Sequence, residues 1–400
     1  MFVDDEENIL SGLRRLFRSM RDDWDMVFVD GGQEALEQIE RSHFDVIVSD
    51  MKMPGLNGAD LLKEVKNKSS ANTRIILSGH SDPSLTMRAI GPTHQFLAKP
   101  CDPDELKVTI ERVQSLRALL TSDGVSGFVS EIEALPSLPD VYEQIMACLE
   151  DPDAALSDVA EIVSRDIGMT AKLLQLSNSA FFGIGRPILT VGDAVSFLGL
   201  ETITALVLGH ETFTEFDKVV YDTLPIKELQ DASLRAAAIA GKIAQFEGMD
   251  SRECYEARMA AMMHDVGKLV LAVGNPELLK ESLAGKDDPY GFDDTVIIDS
   301  LGTGIAEIGA YLLGLWGLPE RIVEAVAYHD HPGNRGDNAY DVFGVVHVAS
   351  RLAVDSEAAD PCAPELRVDT DYLSNAGVID RWSEWQSLAS DLAQGEASAT

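Results

Sequence analysis

The sequence predicts an α/β fold, a doubly wound five-stranded parallel sheet, joined to an all-α domain. Three observations predict it. Short apolar runs alternate with helical stretches through residues 1–121. Four of those runs stop at residues able to do chemistry: Val3 before Asp4-Asp5, the run 44–49 before Asp50, the run 74–77 before Ser78, and the run 94–98 before Lys99-Pro100. Beyond residue 128 the strand pattern fades and amphipathic helices follow one another.

Each element has its own warrant. Met1, Phe2 and Val3 make a clipped first strand, so either the edge is short or the chain starts upstream of Met1. Ile9, Leu13, Leu16, Phe17 and Met20 keep helical spacing. Residues 27–29 read as the second strand and 33–39 as the second helix. A third helix, 59–65, follows the turn Pro54-Gly55-Leu56-Asn57-Gly58. Leu106, Ile110, Val113, Leu116 and Leu120 form one apolar stripe on a long last helix, giving five strands and five helices in all. Residues 122–127, rich in Ser and Gly, read as a linker. Helices then fill 128–332, with Asp193 as the expected N-cap of the helix at 194–198. Residues 333–400 form a helical extension with an acidic tail. In it Trp382 and Trp385 fit either a grip on a partner or an anchor for the chain end.

Bulk composition narrows the function. The 400 residues allow about two or three domains. A formal net charge of -35 argues against nucleic acid and against an anionic membrane surface as partners. The four cysteines, Cys101, Cys148, Cys254 and Cys362, are scattered and form no CxxC pair. They read as reduced thiols of a cytoplasmic protein.

In an open parallel sheet the C-terminal strand ends share one edge, where ligands bind. Asp4, Asp5, Asp50, Ser78 and Lys99 are therefore expected to converge there. Crowded carboxylates repel unless a cation sits among them, and Mg²⁺ favours oxygen ligands. Asp5 and Asp50 are expected to hold Mg²⁺, with Asp4 helping through water. Asp50 is the natural acceptor of a phosphoryl group, with Lys99 and the Ser78 hydroxyl binding its oxygens. The segments Phe2-Val3-Asp4-Asp5-Glu6, Asp50-Met51-Lys52-Met53-Pro54-Gly55-Leu56-Asn57-Gly58, Leu77-Ser78-Gly79-His80 and Phe96-Leu97-Ala98-Lys99-Pro100 resemble the receiver domain of bacterial response regulators, whose fold is flavodoxin-like. The resemblance implies phosphoryl transfer to Asp50 from a sensor histidine kinase or phosphotransfer protein. It implies Mg²⁺ held by Asp5, Asp50 and the backbone carbonyl of Lys52, and a switch pair of Ser78 and Phe96. A phosphorylation-dependent homodimer is a further partner in view, and Lys99-Pro100 is expected as a cis peptide.

In the helical part, His264-Asp265 followed by Gly267-Lys268 resembles the HD and HD-GYP metal-dependent phosphohydrolases. Such a site needs three protein ligands and an open position. Ala232, Ile305 and Ser350 stand where those families usually place ligands. His264, Asp265, His329 and His331 remain, and they make no recognisable ligand set in sequence. The dyad then reads as degenerate, hydrogen-bonded inside a helical core. Leu135-Pro136-Ser137-Leu138-Pro139, the stretch 166–176, Asn178-Ser179-Ala180-Phe181-Phe182-Gly183, the stretch 194–199 and Trp316-Gly317-Leu318-Pro319 resemble the HDOD domain, a non-catalytic relative of those hydrolases. The resemblance implies a helical output domain acting on an unknown output protein by contact rather than catalysis. The alternative is a receiver-controlled HD-type phosphohydrolase acting on nucleotides or cyclic dinucleotides.

Overall fold

The computed structural model describes residues 1–68, 71–79, 88–117, 120, 123–151, 153–178, 188–208, 218–283, 294–354 and 368–397. Strands β1 (Phe2–Val3), β2 (Phe28–Val29), β3 (Val46–Asp50), β4 (Thr73–Ser78) and β5 (Gln95–Ala98) form one parallel sheet in the order β2-β1-β3-β4-β5. Helices α1 (Glu7–Leu16), α2 (Gly32–Ile39), α3 (Gly58–Lys68) and α4 (Pro103–Arg117) cover its faces. The further helix expected between β4 and β5 falls mainly on residues 80–87, outside the described residues.

Strand alternation sorts the core. Phe2, Val48, Ile75, Leu77 and Leu97 pack with Leu10, Phe17, Leu106 and Ile110, so α1 and α4 share one face. Val3, Ile47, Ile76 and Phe96 join the cluster of Ala35, Leu61, Leu62 and Val65, which puts α2 and α3 on the other. Burying each such aliphatic side chain contributes about 1.5–3 kcal/mol. Strand order reverses between β1 and β3, where Val3 pairs with Ser49. That reversal opens a crevice between Asp4, just past β1, and Asp50, the last residue of β3.

The rest is helical: α5 (Asp123–Glu131), α6 (Pro139–Glu150), α7 (Leu156–Val163), α8 (Ile167–Ser177), α9 (Val191–Leu208), α10 (Lys218–Thr223), α11 (Ile226–Phe246), α12 (Ser251–Met263), α13 (Val266–Gly274), α14 (Pro276–Leu283), α15 (Asp294–Leu301), α16 (Ile305–Leu315), α17 (Glu320–Tyr328), α18 (Val342–Val354), α19 (Thr370–Asn375) and α20 (Trp382–Ala397). Among the described residues no single helix is long and apolar enough to cross a membrane. Every residue of α8 is buried, and Asp166 caps it by accepting the Met169 N–H at 2.8 Å.

Two expectations change, and one open alternative is decided. Residues 122–127 are not an open linker, because Asp123 begins helix α5. Val125 and Val129 recur at helical spacing and are buried in the core, which overrides the small-residue composition. Asp193 is not an N-cap: the helix starts at Val191, and the Thr190 hydroxyl accepts the Asp193 N–H at 3.0 Å. Trp382 and Trp385 are buried rather than displayed. Trp385 stacks on Tyr340 at 5.0 Å and donates its Nε1–H to Glu247 Oε1 at 2.9 Å, which anchors α20.

The sheet and the helices meet through polar contacts. Gln95 Nε2 donates to Gly314 O at 3.1 Å and Gln175 Nε2 to His94 O at 3.2 Å. Arg112 donates to Leu318 O. Arg74, fully buried, donates from Nη2 to Ser130 O at 2.7 Å and from Nε to Pro92 O at 2.6 Å. Lys172 Nζ reaches Glu133 O at 2.6 Å and lies over the Trp316 ring.

Candidate functional site

The first site lies at the C-terminal edge of the sheet. Asp4 still belongs to the ladder, since its N–H donates to Val29 O at 3.2 Å, and its side chain is only 2% exposed. Its Oδ1 accepts the Glu6 N–H at 2.9 Å. Asp50 ends β3, and its Oδ2 accepts the Lys52 N–H at 2.9 Å. Lys99, carried just past β5, ties the two together: Nζ donates to Asp4 Oδ2 at 2.6 Å and pairs with Asp50 Oδ1. The Lys99-Pro100 peptide is cis. Gly58 lets α3 close over this edge, because a Cβ there would sit 2.2 Å from Asp50 O.

Burial is the main cause that pushes the Asp50 carboxyl above its ordinary pKa. The Asp4 charge adds to it, while Lys99 and the Lys52 N–H work the other way. Burial also opposes the charge on Lys99, but its hydrogen bonds to Asp4 and Asp50 outweigh that and hold its pKa up. Two carboxylates share one ammonium here, with Asp5 exposed beside them. That set of oxygen donors and its excess negative charge fit a hard divalent ion such as Mg²⁺.

Ser78 ends β4 one residue beyond Leu77, which stands opposite Asp50. Its hydroxyl donates to Gly79 O at 2.9 Å, and its carbonyl accepts the Lys99 N–H at 2.8 Å. Phe96 is buried on β5, paired with Ile76. It lines a cavity of about 160 Å³ whose other walls include Arg112, Gln175, Leu176 and Trp316. The cavity therefore lies where β5 and α4 face the helices.

A second site is buried among the helices. His264, Asp265 and His329 bring one ligand atom each within 4.8 Å of one another. His264 caps α12 and His329 caps α17. The His264 Nδ1–H donates to Ala261 O at 2.7 Å, and the His329 Nδ1–H donates to Val326 O at 2.8 Å. The two rings meet edge to face with centroids 5.1 Å apart. Lys268 Nζ takes Asp265 Oδ1 at 2.7 Å, and Arg351 pairs with Asp330. Burial keeps His264 neutral, with its pKa lowered to about 4. Burial opposes the charge on Asp265, yet the adjacent His264 and Lys268 hold its pKa down to about 2. Ala232, Ile305 and Ser350 line the same cavity of about 90 Å³. His331 is exposed and outside the cluster.

Comparison with known families accounts for both halves. The response regulator receiver domain matches residues 1–111, and the HDOD domain matches residues 135–332. The chain is a response regulator with an HDOD domain. This response regulator is similar to an uncharacterised protein of Treponema pallidum, 29% identical over 212 residues, which are 52% of this chain and 40% of that one. It is similar to the transcriptional regulatory protein FixJ of Bradyrhizobium diazoefficiens, 33% identical over 111 residues, 27% of this chain and 53% of that one. The chain thus spans about half or less of the length of these curated relatives. Among solved structures, the MmoQ response regulator from Methylococcus capsulatus is 20% identical with a TM-score of 0.49, over 63% of this chain and 98% of that one.

Within this response regulator the structure joins Asp4, Asp50 and Lys99, and leaves Asp5 exposed at the rim. Sequence reasoning found His264 and Asp265 but not the position of His329 against them. No spacing could have shown it, because α13 to α17 intervene.

Proposed function

We propose that Asp50 accepts a phosphoryl group from a sensor histidine kinase or phosphotransfer protein, and that the HDOD domain passes the signal on by contact with an output protein. The observation that carries this reading is Lys99 Nζ shared between Asp4 and Asp50 at the strand-order reversal. In the proposed step a carboxylate oxygen of Asp50 attacks phosphorus, the phosphorus–nitrogen bond of the donor phosphohistidine breaks, and the departing imidazole takes up a proton. Lys99 turns from Asp50 to the phosphoryl oxygens, and the Ser78 hydroxyl donates a second hydrogen bond to them. Asp5, Asp50 and the Lys52 carbonyl, with Asp4 acting through water, would hold Mg²⁺, which would supply neutralising charge to the phosphoryl oxygens.

The new group brings about −1.5 to −2 charge to the edge. Drawing Ser78 and Lys99 towards it frees space beside β5, where Phe96 is the switching aromatic. Phe96 lies next to Gln95, whose side chain holds Gly314 O, so its movement alters the seat of the HDOD domain. Contact rather than hydrolysis is supported by Ala232 and Ile305, which bring no ligating atom to the buried cavity. Incubation with a small phosphodonor and Mg²⁺ should add one phosphoryl group by mass to the full chain and none to Asp50→Asn. An unchanged adduct on Asp50→Asn overturns the assignment.

A further inference from the structure

We propose that the cavity of about 160 Å³ between the sheet and the HDOD helices binds a small, planar, uncharged aromatic amide. Both halves of the chain build it. Strand β5 supplies Gln95 and Phe96, α4 supplies Glu105 and Arg112, and the helical domain supplies Gln175 and Trp316. A cavity of this size has room for about one six-membered ring with a short substituent.

The recognition groups are two side-chain amides whose donors are already spent. Gln175 Nε2 donates to His94 O at 3.2 Å, and Gln95 Nε2 donates to Gly314 O at 3.1 Å. Each bond crosses between the domains and fixes which end of its amide is the donor. Each Oε1 is thereby turned away from the carbonyl that holds its Nε2. Gln175 is 6% exposed, and its Oε1 is buried without a hydrogen-bond partner among the described residues. A buried acceptor left unpaired is destabilising, and an N–H delivered by a ligand removes that penalty.

The walls and the charges define the rest of the ligand. Phe96, Leu97, Leu176 and Trp316 are buried apolar walls, against which an aromatic ring leaves water. Glu105 and Arg112 bring one charge of each sign, so the space favours no ion. Arg112 donates to Leu318 O, and burial lowers its pKa against the pull of Glu320 and Glu324. Its remaining N–H groups are donors for a carbonyl oxygen. An aromatic carboxamide meets all three demands, with N–H groups for the glutamine oxygen, a carbonyl for Arg112 and a ring for the apolar walls. Glu105 is exposed, which puts the entrance at α4. The inference is independent of the phosphoacceptor reading, because it uses no atom of the acidic edge.

The test titrates benzamide into the full chain by calorimetry, with benzoate as the matched anion. Benzamide should saturate one site with a Kd of about 1 mM or below, and should raise Tm because it contacts both domains. Benzoate lacks the N–H groups and brings a charge near Glu105, so it should bind about tenfold more weakly or worse. Thr109→Phe fills the cavity from α4 and leaves both glutamine bonds in place. It should abolish binding with the far-ultraviolet circular dichroism kept, and Gln175→Leu should weaken binding by about tenfold. Benzamide that does not saturate by about 10 mM overturns the proposal and leaves the cavity to water. Benzoate that binds as tightly as benzamide overturns it as well, as does binding unchanged in folded Thr109→Phe. Should either variant fail to fold, the contrast between benzamide and benzoate on the unsubstituted chain decides.

Discussion

Two pockets in one chain balance their charges in opposite ways. At the sheet edge one cation, Lys99, is divided between two carboxylates, Asp4 and Asp50, with Asp5 exposed beside them. In the helical cavity each cation closes on its own carboxylate, Lys268 on Asp265 and Arg351 on Asp330. A shared ammonium can be drawn to a third group at modest cost, because each carboxylate it leaves keeps a backbone donor, the Glu6 N–H for Asp4 and the Lys52 N–H for Asp50. The Lys268 pair holds the cavity wall still instead, since moving Lys268 strands the buried Asp265 carboxylate. The first arrangement suits a group that comes and goes, and the second suits a wall that stays in place.

The sharpest break of that comparison is a crossed experiment. Asp50→Asn should lose phosphoryl uptake completely, while His264→Gln should keep it. Mass spectrometry on the two proteins reads both. Loss of phosphoryl uptake in folded His264→Gln would show that the cavity and the sheet edge are one coupled site.

The strand ends were legible because each lies just after a short apolar run, and the parallel order then forces them onto one edge. Asp4-Asp5 was legible as a pair, but not which member turns inward. The ladder decides it: Asp4 keeps its N–H on Val29 O, whereas Asp5 has left the sheet and is exposed. Helix α5 was hidden by its glycines and serines, since its warrant is the burial of Val125 and Val129 against elements far away in sequence. The cavity residues were half legible. His264-Asp265 is a local motif, while His329 arrives through the packing of α17, which leaves no local spacing to read. Arg74 and His94 gave no sign of their role, because a charged residue in an apolar run looks like an edge position until its partners, Ser130 and Pro92, are in place.

A smaller effect tests how rigid the two pockets are. Gly58 faces Asp50 O and Gly267 faces Ile305 O, and an added Cβ would stand 2.2 Å and 2.0 Å from those backbone oxygens. Neither oxygen belongs to a flexible side chain, so the backbone itself must shift. Gly58→Ala and Gly267→Ala are each expected to cost about 1–3 kcal/mol, read as a fall in Tm. The comparison sharpens if Gly58→Ala also slows phosphoryl uptake while Gly267→Ala leaves it unchanged. A Tm unchanged by Gly267→Ala would show that the cavity wall yields, against the rigidity argued for it.

The smallest effect concerns the junction that separates the pockets. His94 is buried with both ring nitrogens committed: Nδ1 accepts the Arg74 N–H at 3.1 Å, and the Nε2–H donates to Ser130 O at 3.0 Å. Burial first, then the Arg74 charge, push its pKa well below the ordinary value, with Lys172 and Lys66 adding to the push and only the Ser130 carbonyl opposing it. The folded protein therefore keeps this ring neutral at a pH where the unfolded chain protonates it. Below about pH 6.5 the unfolded state binds more protons, so the contribution is fully present above that pH and is lost on acidification, by up to ~1.4 kcal/mol per pH unit. Tm measured from about pH 7.5 down to about pH 5.5 should fall less steeply in His94→Gln, which can still accept at one atom and donate at another. His264 and His347, also buried and neutral, contribute equally to both proteins, so the difference in slope belongs to His94. Equal slopes would mean that the junction opens before the pockets do, leaving His94 solvated in the state that unfolds.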